Sequence, residues 1–306
     1  MSVEHHHLHD HGHAEISVDN ERRVFWATVL TGGFMLAEVA GGLISGSLAL
    51  LADAGHMLTD FASLGLAWLG FRISRRPADM FRSYGYHRFE VLAAFVNGIA
   101  LLFIVGWIFF EAVHRFASPT QVLAAPMLVV ASLGLVVNIV AFWLLHQGAR
   151  DNLNVRGAAA HVLGDLLGSV AVIIGALVIM ATGWMPIDPL LSVLVGLLVL
   201  KSAWGIIRDS GHILLEGTPP SIVVEELAWQ LEAAVPAVQD VHHVHLWSLT
   251  PKKTVMTLHV NVDETADRDR VLDEVAAFLE QRWGIDHATI QVEAATCTRP
   301  AVSNRS

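Results

Sequence analysis

At 306 residues the chain can form more than one compact part. Its 54% hydrophobic content, 16% charged residues and mean hydropathy of +0.52 exclude a wholly soluble protein. The charge is uneven: residues 1–23 are net −3, residues 24–215 hold ten charges of each sign, and residues 216–306 are net −7. An acidic balance argues against nucleic acid as a partner, since its binders need basic surfaces, and favours cations. A single cysteine, Cys297, excludes an intrachain disulfide framework.

Residues 1–20 open with HHHLHDHGH, six histidines within the first thirteen positions. That composition predicts a disordered, metal-attracting cytoplasmic tail rather than a fold. No apolar core precedes Val24, so no cleavable signal peptide is expected. Six apolar segments follow: Val24–Ile44, Leu48–Ile73, Phe89–Val113, Leu123–Leu145, Val155–Ala181 and Pro189–Ile207. Each is close to the ~20 residues a helix needs to span a lipid bilayer. Short links containing Gly, Ser or Pro join the first to the second and the fifth to the sixth, which predicts two hairpins. Basic residues gather on one side: Arg22 and Arg23, then Arg72, Arg75, Arg76, Arg82 and Arg88, then Arg150 and Arg156, then Arg208. The opposite links offer only Arg115, so both termini are expected in the cytoplasm. The predicted fold class is a membrane all-α six-helix bundle over 21–215 plus a second domain.

That second domain spans 216–297. Ser221–Val235 reads as an amphipathic helix, Val241–Leu249 and Val255–Val262 alternate as strands, Arg268–Arg282 has helical period, and Ala288–Val292 is a last strand. The order αββαβ predicts a cytoplasmic α+β domain with both helices on one face of an antiparallel sheet. Residues 298–306 read as a loose tail.

The chemistry sits in two repeated pairs. His56 and Asp60 lie in LALLADAGHMLTDFASLGLAWL, and His161 and Asp165 lie in AAAHVLGDLLGSVAVIIGAL. Residues four apart in a helix differ by only about 40° around the axis, so each pair shares one face. Ionisable groups in hydrocarbon need partners. One such pair alone reads equally well as structural hydrogen bonding. Two matching pairs supply two imidazoles and two carboxylates, a tetrahedral set suited to zinc if the helices face each other. Imidazole binds metal only when neutral, so protons compete for the same groups, as a metal/proton exchanger requires. His161 stands only a few residues into its expected span, so a common depth for both pairs demands a tilted helix. Asp53, one turn before His56, has two readings: a partner or proton relay for the site, or a helix-end group. Glu38, Asn97 and Asn138 are expected to make interhelical hydrogen bonds.

In the second domain His242, His243 and His245 occupy one strand, His259 the next, and Glu293 follows the last. Strict alternation puts His243 and His245 on one face and His242 on the other. His245 then reads as solvated. His242, His259 and Glu293 read as a metal set, with solvated strand histidines as the alternative. Two other function classes compete. An intramembrane metalloenzyme needs an open coordination position and a general base, and no HExxH motif is present. A membrane-anchored zinc sensor gives the intramembrane pairs nothing to do.

Several stretches carry a family resemblance: SGSLALLADAGHMLTD, SYGYHRFEVLAAFVNG, HVLGDLLGSVAVIIGA, IDPLLSVLVG, VHHVHLWSLT and ATIQVE. Across residues 20–297 the chain resembles the cation diffusion facilitator family, in its zinc-transporting branch. The resemblance implies a homodimer of six-span protomers, in a bacterial inner membrane, exporting zinc, and cadmium with it, in exchange for protons by alternating access. It implies a ferredoxin-like cytoplasmic domain that binds zinc and helps hold the dimer. Carried over, the transport site falls on His56, Asp60, His161 and Asp165, and the cytoplasmic zinc on His242, His259 and Glu293, with Cys297 joining. Some relatives hold a further zinc in the second cytoplasmic link, but Arg82 and Tyr86 stand where its histidines fall, so no metal is expected beside Asp79. Arg88 stands where relatives have a lysine of a hinge ion pair, with Glu216 or Asp209 as its partner.

Overall fold

In the computed structural model the backbone is described at residues 18–74, 79–146 and 153–294, and side chains at 29–58, 61, 62, 65, 79–140 and 166–294. The His-rich tract, Cys297 and the tail after it lie outside the described residues. The chain divides into two units, Met1–Leu69 with Leu101–Lys201, and Gly70–Ala100 with Ser202–Ser306.

Long helices occupy the apolar segments: α1 Val18–Ser45, α2 Leu48–Ser74, α3 His87–Ala117, α4 Ala124–His146, α5 Leu153–Thr182 and α6 Ile187–Leu214. Along the described residues α3 and α6 are each long and apolar enough to cross a bilayer. Large apolar side chains such as Phe103, Phe110 and Val113 stand exposed on α3, an arrangement that suits lipid rather than water. α5 begins at Leu153, so His161 stands two turns inside the helix, deeper than the apolar run alone suggests.

Within the first unit, α2 begins against α4 and α5. Ala49 and Leu50 share one buried cluster with Met127 and Ala131 of α4 and with Val172, Ala176 and Ile179 of α5. Asn138 of α4 donates to Ser169 Oγ of α5 at 3.3 Å, the interhelical bond expected of it. The α1–α2 link is a tight turn, with Gly46 at φ +70° in the left-handed region where glycine is unstrained. Ser47 caps α2, its Oγ accepting from the Leu50 amide at 3.2 Å.

A second cap comes from far along the chain. Asp188, with no solvent exposure, accepts from Ser47 Oγ (2.6 Å) and from the amides of Leu48 (2.8 Å) and Ala49 (3.2 Å). Its other oxygen contact is the Arg115 guanidinium at 3.5 Å, and Arg115 also pairs with Glu111 at 2.9 Å and donates to the Gly46 carbonyl. The carboxylate thus closes the positive end of the α2 dipole and ties α2 to α3 and α6.

The C-terminal part of the second unit has the expected order: α7 Val224–Ala234, β1 Val238–Thr250, β2 Lys253–Val262, α8 Arg268–Trp283 and β3 His287–Glu293. Leu227 and Leu231 of α7 and Val271, Val275 and Leu279 of α8 pack with Met256, Leu258, Val260 and Val262 of β2. Asp267 caps α8, and Gly284 at φ +67° ends it. One expectation is corrected. β1 and β2 are antiparallel, but β2 and β3 are parallel, so the sheet is mixed, in the order β1-β2-β3. α8 carries the chain back along the sheet, and a strand that follows such a crossover runs parallel to the one before it.

Replacing Asp188 by alanine leaves the Ser47 hydroxyl and two amides without their acceptor and takes from the Arg115 guanidinium one of its two carboxylate partners. The expected loss is about 3 kcal/mol, since breaking a buried pair costs that order. Thermal unfolding in detergent should show a lowered Tm, and a smaller loss for Asp188→Asn, which keeps an acceptor oxygen.

Candidate metal centres

The first centre expected from sequence involves α2 and α5. His56 is half-buried and Asp53 is buried, both on α2. The side chains of Asp60, His161 and Asp165 lie outside the described residues, although the backbone at each is helical. One close approach is described: a Cβ built on Gly168 of α5 would lie 3.4 Å from Asp53 Oδ1. Gly168 is three residues beyond Asp165, and Asp53 is three before His56. Each is therefore within about 60° of its neighbouring ligand candidate around its own helix. The described contact between α2 and α5 at this level is thus that of Asp53 with Gly168.

The second centre is built on the sheet face opposite α7 and α8. His242 lies directly across from His259, and β3 pairs Gln291 with His259 and Glu293 with Asn261. Alternation buries Leu258 and Val260 against the helices and leaves His259 and Asn261 on the other side. His242 Nε2 is 3.5 Å from Glu293 Oε2, and His259 Nδ1 is 3.0 Å from Glu293 Oε1. His242 Nδ1 stands 2.8 Å from Asp240 Oδ2. With its proton on that nitrogen, the ring turns the Nε2 lone pair toward His259 and Glu293.

His243 joins them, against the expectation from alternation. Between His242 and His245, β1 has one residue more than β2 has between His259 and Thr257, and His243 sits in that bulge at φ +49°. The bulge brings a ligand atom of each of His242, His243 and His259 within 4.8 Å of the others. Their rings meet edge to face, with centroids 4.9–5.4 Å apart. Beyond the bulge, His245 is exposed, as expected for it. The signal for His243 was the doublet itself: histidine is among the few non-glycine residues enriched in the left-handed region.

The donor atoms fit a metal. His242 Nε2, His259 Nδ1 and Glu293 Oε2 are buried and make no hydrogen bond, although they crowd together. Buried nitrogen and oxygen atoms crowded together without hydrogen bonds are costly, and a cation between them would satisfy them. Cys297 lies outside the described residues, so its part in this centre is untouched.

Two other sequence candidates have clear surroundings. Arg88 Nη2 pairs with Glu216 Oε1 at 3.1 Å, while Asp209 is taken by its neighbour Arg208 at 3.1 Å. In the second link Asp79 is saturated. Its Oδ1 accepts from the amides of Phe81 and Arg82 (2.8 Å each), and its Oδ2 accepts from the Tyr86 hydroxyl (3.0 Å). The Arg82 guanidinium stands over the Tyr86 ring at 4.6 Å and 3.8 Å from Asp79 Oδ2. An arginine therefore occupies the side of Asp79 where a divalent ion could approach.

Residues 24–215 match the family described as the cation efflux transmembrane domain, and residues 219–295 match the cation efflux protein cytoplasmic domain. The zinc transporter ZitB of Escherichia coli is 51% identical over 296 residues, covering 96% of this chain and 94% of that protein. The metal cation efflux system protein CzcD of Cupriavidus metallidurans is 42% identical over 292 residues, covering 95% and 90%. The cadmium, cobalt and zinc/H+–K+ antiporter of Bacillus subtilis is 39% identical over 287 residues, covering 92% of each.

The amides of Phe81 and Arg82, with the Tyr86 hydroxyl, hold the Asp79 carboxyl below its ordinary pKa of 3.8. A depressed carboxylate stabilises its turn above the unfolded value and loses that contribution as pH falls through the lowered one. Tyr86→Phe removes one donor, so the Asp79 titration should move up toward 3.8. Carboxyl NMR shifts of Asp79 in the two proteins would measure it; an unmoved titration would mean the hydroxyl bond is absent in solution.

Proposed function

The chain belongs to the cation efflux (cation diffusion facilitator) family, and on that premise we propose that it is a membrane antiporter exporting zinc from the cytoplasm in exchange for protons. The support for zinc is 51% identity over nearly the whole chain to a protein named as a zinc transporter. One relative's name specifies exchange for protons and potassium and adds cadmium and cobalt to the cargo, so cadmium is included in the proposed range. The relatives named above are transporters and efflux proteins, which fits a carrier and not an enzyme. In this reading the chain is a homodimer of six-span protomers in a bacterial inner membrane, with both termini cytoplasmic and a ferredoxin-like αββαβ domain.

The transport site is His56, Asp60, His161 and Asp165. The observation that carries it is the approach of Asp53 to Gly168. Spanning helices alternate direction, so α2 and α5 run antiparallel. Counting three residues along each from that approach brings His56 level with Asp165, and four more bring Asp60 level with His161. Equal rise per residue on both helices makes the two His–Asp pairs meet at one depth without any special tilt. Zinc, as cargo, then meets two neutral nitrogens and two carboxylates, and protonation of the same groups releases it. Asp53, buried one turn toward the α2 start, is suited to pass protons to His56.

The cytoplasmic domain holds a resident zinc through His242, His243, His259 and Glu293, with Asp240 orienting His242. Such a metal supplies cross-linking of the three strands and no chemistry. Arg88 and Glu216 form the hinge ion pair at the base of the domain.

Zinc loading into inverted membrane vesicles driven by a proton gradient should be lost in Asp60→Ala and in Asp165→Ala. A folded mutant that transports normally would sink the site assignment. For the resident zinc, equilibrium dialysis of the full chain should show His243→Ala weakening one class of zinc binding by about tenfold or more, the order seen when a metal site loses a supporting group. His245→Ala should leave that class unchanged.

A further inference from the structure

α6 presents two unlike faces. Asp188, Ser192, Val195 and Val199 are buried (0–3% exposed), whereas Leu190, Leu194, Leu197 and Leu198 on the other side are about half exposed (44–53%). Large leucines left open along a helix that is long and apolar enough to cross a bilayer suit lipid. Lys201 interrupts that stripe. It stands about 160° around the helix from Val199, is exposed, and makes no hydrogen bond or ion pair among the described residues. Neither metal centre uses it.

An ammonium in hydrocarbon is costly, so its depth and its counter-charge decide what it is for. A hydrocarbon crossing takes about twenty residues, which from Asp188 runs to Ile207. Lys201 is six residues short of that end, so it lies about 9 Å inside the nearer boundary and about 20 Å from the other. A lysine stem covers most of the shorter distance and little of the longer. The counter-charge does not come from the chain itself. Among the described residues the carboxylates of the membrane helices are buried (Glu38, Asp53 and Asp188), paired (Glu111 with Arg115, Asp209 with Arg208) or in the first turn of α3 (Glu90). A second copy offers the same residues, and a twofold contact of this stripe with itself would set lysine and leucines against lysine and leucines. The anion present all along the nearer boundary is the lipid phosphate.

We propose that Lys201 binds the phosphate of one acidic phospholipid in the leaflet around the C-terminal end of α6, with an acyl chain lying along Leu198, Leu197 and Leu194. The ammonium is a compact point charge that suits a phosphate oxygen. A lipid with a net negative charge is favoured over a zwitterionic one, whose own cation competes with the lysine for the phosphate. Because the stem falls short of the boundary, the bound headgroup is drawn below its ordinary level beside α6. That leaflet is the cytoplasmic one in the orientation proposed above, but the site stands whichever way the chain is inserted and whichever metal it carries.

The test is native mass spectrometry of the full-length protein in neutral detergent, with phosphatidylglycerol and phosphatidylcholine of identical acyl chains. Wild type should retain phosphatidylglycerol roughly fivefold better, the order of one charge-assisted hydrogen bond. Lys201→Gln should bring the ratio close to one, while Lys201→Arg, which keeps the charge, should preserve the preference. Lys252→Gln, in the exposed turn between β1 and β2, should preserve it too. Inorganic phosphate should not displace the bound lipid. Equal retention of the two lipids by wild type, or retention of neither, overturns the proposal, as does a preference that survives Lys201→Gln. Displacement by inorganic phosphate overturns it, and so does an equal loss in Lys252→Gln, which would mean that net charge alone decides. If Lys201→Gln shifts the monomer–dimer ratio and leaves the lipid preference unchanged, Lys201 faces a second copy of the chain and the proposal fails.

Discussion

Asp188 has no access to solvent and spends its oxygens on the first turn of α2, the helix that carries His56. A bare helix start inside an apolar bundle leaves unpaired amides whose desolvation nothing repays. Here a carboxylate from α6 accepts from them, and Arg115 from α3 neutralises the carboxylate. The arrangement needs every part. Without Arg115 the buried anion would lose its only counter-charge among the described residues, and without Asp188 the guanidinium would keep Glu111 alone as a carboxylate partner. It also accounts for Arg115, the exception to the charge pattern of the links: it is consumed by Glu111, Asp188 and the Gly46 carbonyl and is not a free surface charge.

Much of the architecture was legible because it is local. The helices occupy the apolar runs, and the starts expected at Leu48 and Arg268 coincide with α2 and α8 because Ser47 and Asp267 cap them. The His–Asp pairs were legible because a four-residue spacing is a helical period. Asp188 lies within IDPLLSVLVG, but its partners are some 140 residues away in sequence, and no periodicity marks such a cap. The direction of β3 was misjudged because alternation of side chains is the same in parallel and antiparallel strands. The intervening α8 was the better guide.

The bulge at His243 shows the same limit on a smaller scale. One inserted residue reverses which side chains share a face, so strict alternation separated two histidines that the backbone brings together. A left-handed histidine costs free energy, and a metal held by all three rings would offset it. The orphaned nitrogens of His242 and His259 point the same way, and the two observations are independent. One concerns backbone conformation and the other unpaired lone pairs.

The two proposed centres differ in what their frameworks permit. The cytoplasmic set is fixed by strand pairing, with His242 across from His259 and Glu293 one strand further on, so its ligands cannot separate without breaking a sheet. Such a centre suits a metal that stays. The α2–α5 set depends on the relative tilt of two helices, and Asp188 clamps α2 at its start. By helical rise His56 lies about 12 Å and Asp60 about 18 Å from that clamp. A tilt of about 10° about the clamped end would move them by about 2 and 3 Å, more than a zinc bond of about 2 Å tolerates. In the proposed site, a fixed end and a distant ligand pair would turn a small rotation into release, with Asp60, the farther ligand, displaced the most.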